Sequence, residues 1–476
     1  MMLSSPIVLL LLPVADALSL QRSDFSAYTA NLSTRNIIHN HRNANFFALS
    51  SATEYETTVP SVAPYDEEQV IINASGSYQG ELHLDDDISS SSSKTEQQFW
   101  KWRNHDIFCE VRSPADISKS SSKPKVILLH GFGASTTYWR ETMSMLQEEG
   151  FEVHALDLLG QGRSSKPYEH GDNDRPSKFP YRMYPKTHAV SSTDKEEMCP
   201  ISLGKNTNTR VNYSINLWAN MVDDYARHYN MDEVILMGNS LGSLVALSAA
   251  TGDFIETQNN IDRENMFGYL AGNNLGERSR VKGVCLFNCA VGLNSMNVLK
   301  NPSLSDVQRS VLSWVFDVLN KLIFDNEPLL KFALGNVVTK DLLRDALKGL
   351  YTYNPEQVDD ELVDSFYYPA KFGGDGAIEA IRQIYTNDAG LTPIEMHAKY
   401  PEILDNIPLH LIWGDSDVVT PIEGDVGHFY CDRIANNRSG KGKTTIDVVK
   451  GGHLLFDDNP LDTNNALLRW INNKVL

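Results

Sequence analysis

The stretch Val234-Ile235-Leu236-Met237-Gly238-Asn239-Ser240-Leu241-Gly242 carries an apolar run into a G-x-S-x-G pattern, and Ser243 to Ala250 then form a helix-favouring run. A strand that turns sharply into a helix needs small residues two positions either side of the turn residue. Such a turn lifts the central side chain clear of the backbone, so Ser240 is offered to a substrate. The pattern is that of a nucleophile elbow.

A serine hydroxyl is a poor nucleophile at neutral pH and needs a base within hydrogen-bond reach and an acid to orient that base. Two apolar runs downstream end in suitable residues. Leu409 to Trp413 leads into Gly414-Asp415-Ser416-Asp417, and Ile446 to Val449 leads into Gly451-Gly452-His453. His453 is one of 13 histidines, singled out by the Gly-Gly before it and the strand before that. Either Asp415 or Asp417 could orient it. His130-Gly131-Phe132-Gly133 follows the run Val126 to Leu129. The glycines there let the backbone N–H of Phe132 face a carbonyl oxygen, with the N–H of Leu241 as the second donor of an oxyanion hole. Gly131-Phe132-Gly133 with Asp157 also imitates a dinucleotide fingerprint. The third glycine of that fingerprint is missing, however, and the reading leaves the elbow unexplained.

Short apolar strands alternate with helical patterns from Val126 onward: Val126 to Leu129, Val153 to Leu156, Val234 to Met237, Gly283 to Phe287, Leu409 to Trp413 and Ile446 to Val449. This predicts an α/β fold with a mostly parallel central sheet. Order is expected to begin near Phe99-Trp100-Lys101-Trp102, with the alternating segment Ile107 to Val111 completing an antiparallel pair. The expected organisation is a targeting leader over 1–53, a disordered polar linker over 54–97, a first core part over 98–290, a helical cap over 291–405 and a last core part over 406–476. Two polar insertions, 168–210 and 253–280, interrupt the first core part. The cap would lie over the site, inserted before the strand that carries the acid. Within it, Ser310 to Asp325 has an unusually broad apolar face. Packing inside the cap is one reading of that face, and contact of part of it with a lipid-like tail or a membrane is the alternative.

The chain carries 61 acidic against 42 basic residues, a formal charge of -19. That excludes a nucleic-acid binder, whose affinity rests on clustered Lys and Arg. Cys109, Cys199, Cys285, Cys289 and Cys431 are odd in number and form no C-x-x-C pair, so they read as buried thiols rather than a zinc site or disulfide framework. Cys285 and Cys289 are expected on one face of one strand. Ile7 to Pro13 is an apolar run of signal-peptide length followed by Ala15-Asp16-Ala17. The Ser-, Asn- and Thr-rich stretch Leu18 to Thr53 has Asp24 as its only acid and reads as a transit peptide. The pair suggests a bipartite plastid leader; simple secretion is the alternative, which sequons at Asn31, Asn73, Asn212 and Asn437 would suit.

Together, Val126 to Gly133, Leu156 to Ser164, Gly238 to Gly242 and Val281 to Val284 resemble the α/β-hydrolase superfamily, and within it the pheophytinase group and related algal chlorophyllases. The resemblance covers about residues 98 to 476. It implies a Ser240, Asp417, His453 triad, with Asp417 at the usual acid position and Asp415 as a turn residue. It also implies hydrolysis of the phytyl ester of chlorophyll or pheophytin, at a membrane surface by peripheral contact and with no cofactor of the enzyme's own. A carbon-carbon bond or other small-ester hydrolase is the alternative within the fold. A non-catalytic hydrolase-fold binding protein is the alternative outside enzymes, and the intact Ser240, Asp417 and His453 argue against it.

Overall fold

In the computed structural model, eight strands lie in the order β1-β2-β4-β3-β5-β6-β7-β8. They span Lys94–Trp102 (β1), His105–Ser113 (β2), Lys125–Leu129 (β3), Val153–Leu156 (β4), Val234–Asn239 (β5), Val281–Phe287 (β6), Leu409–Gly414 (β7) and Thr444–Val449 (β8). β2 pairs antiparallel with both β1 and β4, and every other neighbouring pair is parallel. This is the mostly parallel sheet expected of an α/β-hydrolase. The structure describes residues 94–114, 123–168, 203–205, 210–255, 268–272, 279–300, 305–436 and 443–476. The leader, nearly all of the linker, most of the insertions 168–210 and 253–280, Cys199 and the sequons at Asn31, Asn73 and Asn437 lie outside them.

Each expected strand is found, and several run further than their apolar cores. β1 starts at Lys94, so Lys94 to Gln97 belong to the sheet rather than to the linker. Polarity hid them: β1 is an edge strand, and its first residues have exposed or half-buried side chains while the backbone pairs from Lys94 opposite Ser113 onward. Edge strands commonly carry such charged positions. Cys285 lies in β6 but Cys289 does not, because the strand ends at Phe287 and Asn288 turns the chain at φ 46°. The four described cysteines are nevertheless buried and free, and burial raises the Cys109 thiol to about 12.

Helices cover both faces of the sheet. Arg140–Glu148 (α1), Ile215–His228 (α2) and Leu241–Thr251 (α3) follow β3, β4 and β5 in the chain. Every side chain of α3 is buried; a helix apolar all round belongs inside a protein, and Gly252 ends it at φ 70°. Between β6 and β7 come Asp306–Leu319 (α4), Glu327–Phe332 (α5), Lys340–Lys348 (α6), Asp360–Phe372 (α7), Gly374–Thr386 (α8) and Pro393–Lys399 (α9). Asp425–Asn436 (α10) precedes β8 and Pro460–Trp470 (α11) ends the fold. One large core joins Val126 and Leu128 of β3 and Ile235 and Met237 of β5 to Met143, Leu146, Leu467 and Trp470. Alternate strand residues point to one face, which gives that cluster its every-second-residue membership. Arg140 ties α1 to the C-terminal region and to the inserted helices by ion pairs with Asp457 and Asp359.

His397 of α9 is buried against Phe429 and Tyr430 of α10, and neither ring nitrogen has a hydrogen-bond partner among the described residues. Asp405 lies 3.9 Å from its Nδ1 but is engaged by Arg433. Burial, helped by the Arg433 charge, lowers its pKa to about 3. The folded protein therefore binds fewer protons than the unfolded chain once pH falls below the unfolded value of about 6.5. The stability from neutral His397 is complete above that value and declines from there down to about pH 3. Chemical denaturation should show His397→Leu losing about 2 kcal/mol less than the parent between about pH 7 and about pH 5. Identical losses would contradict this.

Candidate active site

β5 delivers Ser240 at φ 51° and ψ -119°, a conformation that non-glycine residues rarely adopt. The strain costs on the order of 1 to 3 kcal/mol and persists only where the surroundings over-determine it. Here they do. A Cβ on Gly238 would lie 2.2 Å from the Gly242 carbonyl oxygen, and a Cβ on Gly242 would lie 2.2 Å from that of Leu129. Strand end, helix start and the end of β3 are thus pressed together, and glycine alone fits at both positions. The Ser243 hydroxyl donates to the Gly238 carbonyl at 2.7 Å, and the Ser240 N–H donates to the Phe287 carbonyl at 2.9 Å.

β7 and the loop after β8 bring Asp417 and His453 together. His453 Nδ1 lies 2.9 and 3.0 Å from the two Asp417 oxygens. With Nδ1 as the donor, Nε2 is left as the basic nitrogen. The Asp417 carboxylate also accepts the Val419 N–H at 2.8 Å, the Thr420 N–H at 3.1 Å and the Thr420 hydroxyl at 2.7 Å. Burial opposes its ionisation, but the His453 charge and these donors prevail and hold the carboxyl below the ordinary value. Asp415 does not reach His453. Its Oδ1 accepts the Gly451 N–H at 3.2 Å and the Ser416 hydroxyl at 2.9 Å, a turn residue's role.

Two asparagines bind the three strand ends into one unit. Asn239 Nδ2 donates to the carbonyls of Phe287 (3.1 Å) and His453 (3.3 Å). Asn288 Nδ2 donates to the carbonyls of Gly452 and His453, each at 2.9 Å, while its Oδ1 accepts the Gly414 N–H at 2.8 Å. The Asn288 carbonyl lies 3.1 Å from the Thr420 hydroxyl oxygen and shares with Asp417 the one proton that hydroxyl donates. One fully buried side chain at the end of β6 thus touches the His453 loop and the end of the strand that carries Asp417. The inserted helices join in through the Leu350 carbonyl, which accepts the His453 N–H at 3.0 Å.

The loop after β3 is fixed with equal care. His130 spans it, with Nδ1 2.7 Å from the Gly131 carbonyl and Nε2 accepting the Leu158 N–H at 2.9 Å. The acceptor role of Nε2 requires the neutral ring with its proton on Nδ1, and burial lowers the His130 pKa accordingly. The Gly131 N–H is taken by the Tyr138 hydroxyl and the Gly133 N–H by Gln161 Oε1. Among the described residues no hydrogen bond takes the N–H of Phe132 or of Leu241. Leu241 opens α3, and a first helical residue has no intrahelical acceptor for its N–H. Asp157 spends its carboxylate on the N–H groups of Thr136 and Arg163, both at 2.6 Å. It therefore orders a loop, and the dinucleotide imitation has no structural counterpart.

The roles of Asn288, Thr420 and Tyr138 escaped sequence reading. Asn288 alone gave a signal: an asparagine at the end of an apolar strand suits a turn at positive φ. What it holds depends on residues more than a hundred positions away.

Residues 124–252 match the alpha/beta hydrolase fold family. The probable lysophospholipase BODYGUARD 1 of Arabidopsis thaliana is 35% identical over 68 residues, 13% of this chain and 14% of that protein. The chloroplastic pheophytinase of Arabidopsis thaliana is 31% identical over 127 residues, 26% of this chain and 23% of that protein. The match thus spans less than a quarter of either relative's length. A Salmonella enterica protein described as an acyltransferase superposes with a TM-score of 0.50 at 14% identity, over 80% of this chain and 96% of that one, which bears on the fold alone. Residues 124–252 thus match the alpha/beta hydrolase fold family, and the strand order and the elbow of the chain are those of the α/β-hydrolase fold.

Proposed function

We propose that the protein is a serine hydrolase of lipophilic carboxylic esters, and that within this class it cleaves the phytyl ester of chlorophyll or pheophytin. The observation that carries the ester-hydrolase reading is the 2.9 Å contact of His453 with Asp417, with the His453 carbonyl held by the side chain of Asn239, the residue next to Ser240. His453 Nε2 takes the Ser240 proton as the hydroxyl oxygen attacks the ester carbonyl, and Asp417 stabilises the imidazolium that results. The tetrahedral oxyanion meets the N–H groups of Phe132 and Leu241. Collapse breaks the carbon–oxygen bond, and His453 returns the proton to the departing alcohol. Water, deprotonated by His453, then releases the acid from Ser240. In the phytyl ester the propionyl carbonyl of the macrocycle is attacked and phytol leaves.

Support for the phytyl ester is the likeness of residues 156–164 and 238–242 to the pheophytinase group, together with the pheophytinase among the relatives. A plastid destination through residues 1–53 fits this substrate, and we propose it with the reaction. No described helix is long and apolar enough to cross a membrane, so a substrate dissolved in a bilayer would be met by peripheral contact.

Phytol release from chlorophyll and from pheophytin, measured side by side, tests the substrate: the parent protein should release it and Ser240→Ala should not. Equal release by the variant would contradict Ser240 as the nucleophile, and none by a parent protein that hydrolyses other esters would defeat the phytyl reading. Asp417→Asn should lower kcat by about 10³- to 10⁴-fold with the fold intact, whereas Asp415→Asn should stay within about tenfold of the parent. Comparable losses would reverse the assignment of the two acids. Asn288→Ala should lower kcat on the order of 10²-fold with little change in KM, because it loosens the His453 loop rather than a substrate contact. A rise in KM at constant kcat would contradict that role.

A further inference from the structure

Large apolar side chains left in solvent are concentrated in one stretch of the inserted helices. Of the eleven with marked exposure among the described residues, Val311, Trp314, Leu322, Leu329, Phe332 and Val337 fall within a single segment of α4, α5 and the turns after them. At about 100° per residue, Val311, Trp314, Val318 and Leu322 share one side of the helical run 306–324, a stripe about 16 Å long. Phe316 and Phe324 are buried on the opposite side. Phe324 and Leu330 pack with Ile378 of α8, Phe324 stacks on Tyr385 at 3.9 Å, and Tyr385 meets the ring of Phe132 at 5.4 Å. One apolar face of this segment thus leads inward to the loop beside Ser240, and the other is left exposed among the described residues. Scattered exposed apolar residues are ordinary; a clustered set is not.

The charge around this set selects its partner. Residues 305–340 carry Asp306, Asp317, Asp325 and Glu327 against Arg309, Lys321, Lys331 and Lys340, which balance, in a chain whose formal charge is -19. An acidic protein is repelled by anionic lipid, and a neutral apolar patch offers no basic cluster to overcome this. We propose that the stripe from Val311 to Leu322, with Leu329 and Phe332, docks the protein onto an electrically neutral lipid surface, the apolar side chains entering the headgroup and acyl boundary. This deepens the proposed function by naming where a lipid-borne ester is met. It rests on that reading for the substrate and not for the surface.

The protein carries its own probe. Of its seven tryptophans, Trp314 is 66% exposed and the other six are buried. The full chain is mixed with vesicles of phosphatidylcholine containing brominated acyl chains, and tryptophan quenching is followed. Trp314 emission should shift to the blue and be quenched, and Trp314→Tyr should remove the quenched component. The apolar stretch near the N-terminus holds no tryptophan, so binding through it alone would leave emission unquenched and overturn the proposal. The combination Leu322→Ser with Phe332→Ser, which keeps Trp314, should weaken vesicle partitioning by about tenfold or more. Replacing part of the lipid with phosphatidylglycerol should weaken binding further; tighter binding would contradict the neutral-surface claim. A blue shift that depends on protein concentration without vesicles would assign the patch to a second copy of the chain instead. Hydrolysis of a water-soluble short-chain ester by the same variants should match the parent. Loss of vesicle binding with that activity retained separates docking from catalysis, and a protein that binds vesicles but hydrolyses no ester would defeat the catalytic reading alone.

Discussion

Close approach between backbones at the end of β5 is the constraint on which the site depends. Gly238 and Gly242 allow the strand end, the start of α3 and the end of β3 to meet at distances that no Cβ could survive. That contact holds Ser240 in its strained φ and ψ. The same contact leaves the Leu241 N–H at a helix start beside the loop that carries Phe132. The proposed nucleophile and oxyanion donors are therefore consequences of one packing arrangement rather than separately placed parts.

The remaining groups are brought to Ser240 by hydrogen bonds between strand ends. Parallel strands leave their carboxyl ends on one edge of the sheet, where ligands of open α/β sheets bind. Asn239 and Asn288 convert that proximity into a fixed geometry by holding the carbonyl of His453 from two strands at once. Asp417, buried yet ionised, then sets the orientation of the imidazole ring. The inserted helices contribute as well, since Leu350 holds the His453 N–H and Tyr385 packs on Phe132. They belong to the same cooperative structure as Ser240, Asp417 and His453, and a lesion in them can reach the candidate site through these contacts.

Legibility in the sequence followed the range of the interaction. The elbow could be read because its cause is local: two glycines, a serine, an apolar strand and a helix within seventeen residues. The central strands could be read because burial on both faces leaves continuous apolar runs. β1 was read short because edge pairing leaves polar side chains in solvent. Cys289 was misplaced because the strand end at Asn288 is set by a turn and not by hydrophobicity. Choosing Asp417 over Asp415 needed a family resemblance, since spacing alone leaves both open; the contact with His453 distinguishes them in space. What Asn288 and Thr420 hold lay beyond sequence reading, because Asn288 reaches Gly414 of β7 and the loop after β8, and Thr420 reaches back to Asn288.

The central claim is that Ser240 is an activated nucleophile. Intact-protein and peptide mass spectrometry after exposure to a serine-directed phosphonate tests it most directly. The account predicts one phosphonyl adduct per chain, on Ser240, with labelling strongly slowed by His453→Ala. Folded protein that takes no label, or takes it equally well without His453 or on another serine, would contradict it.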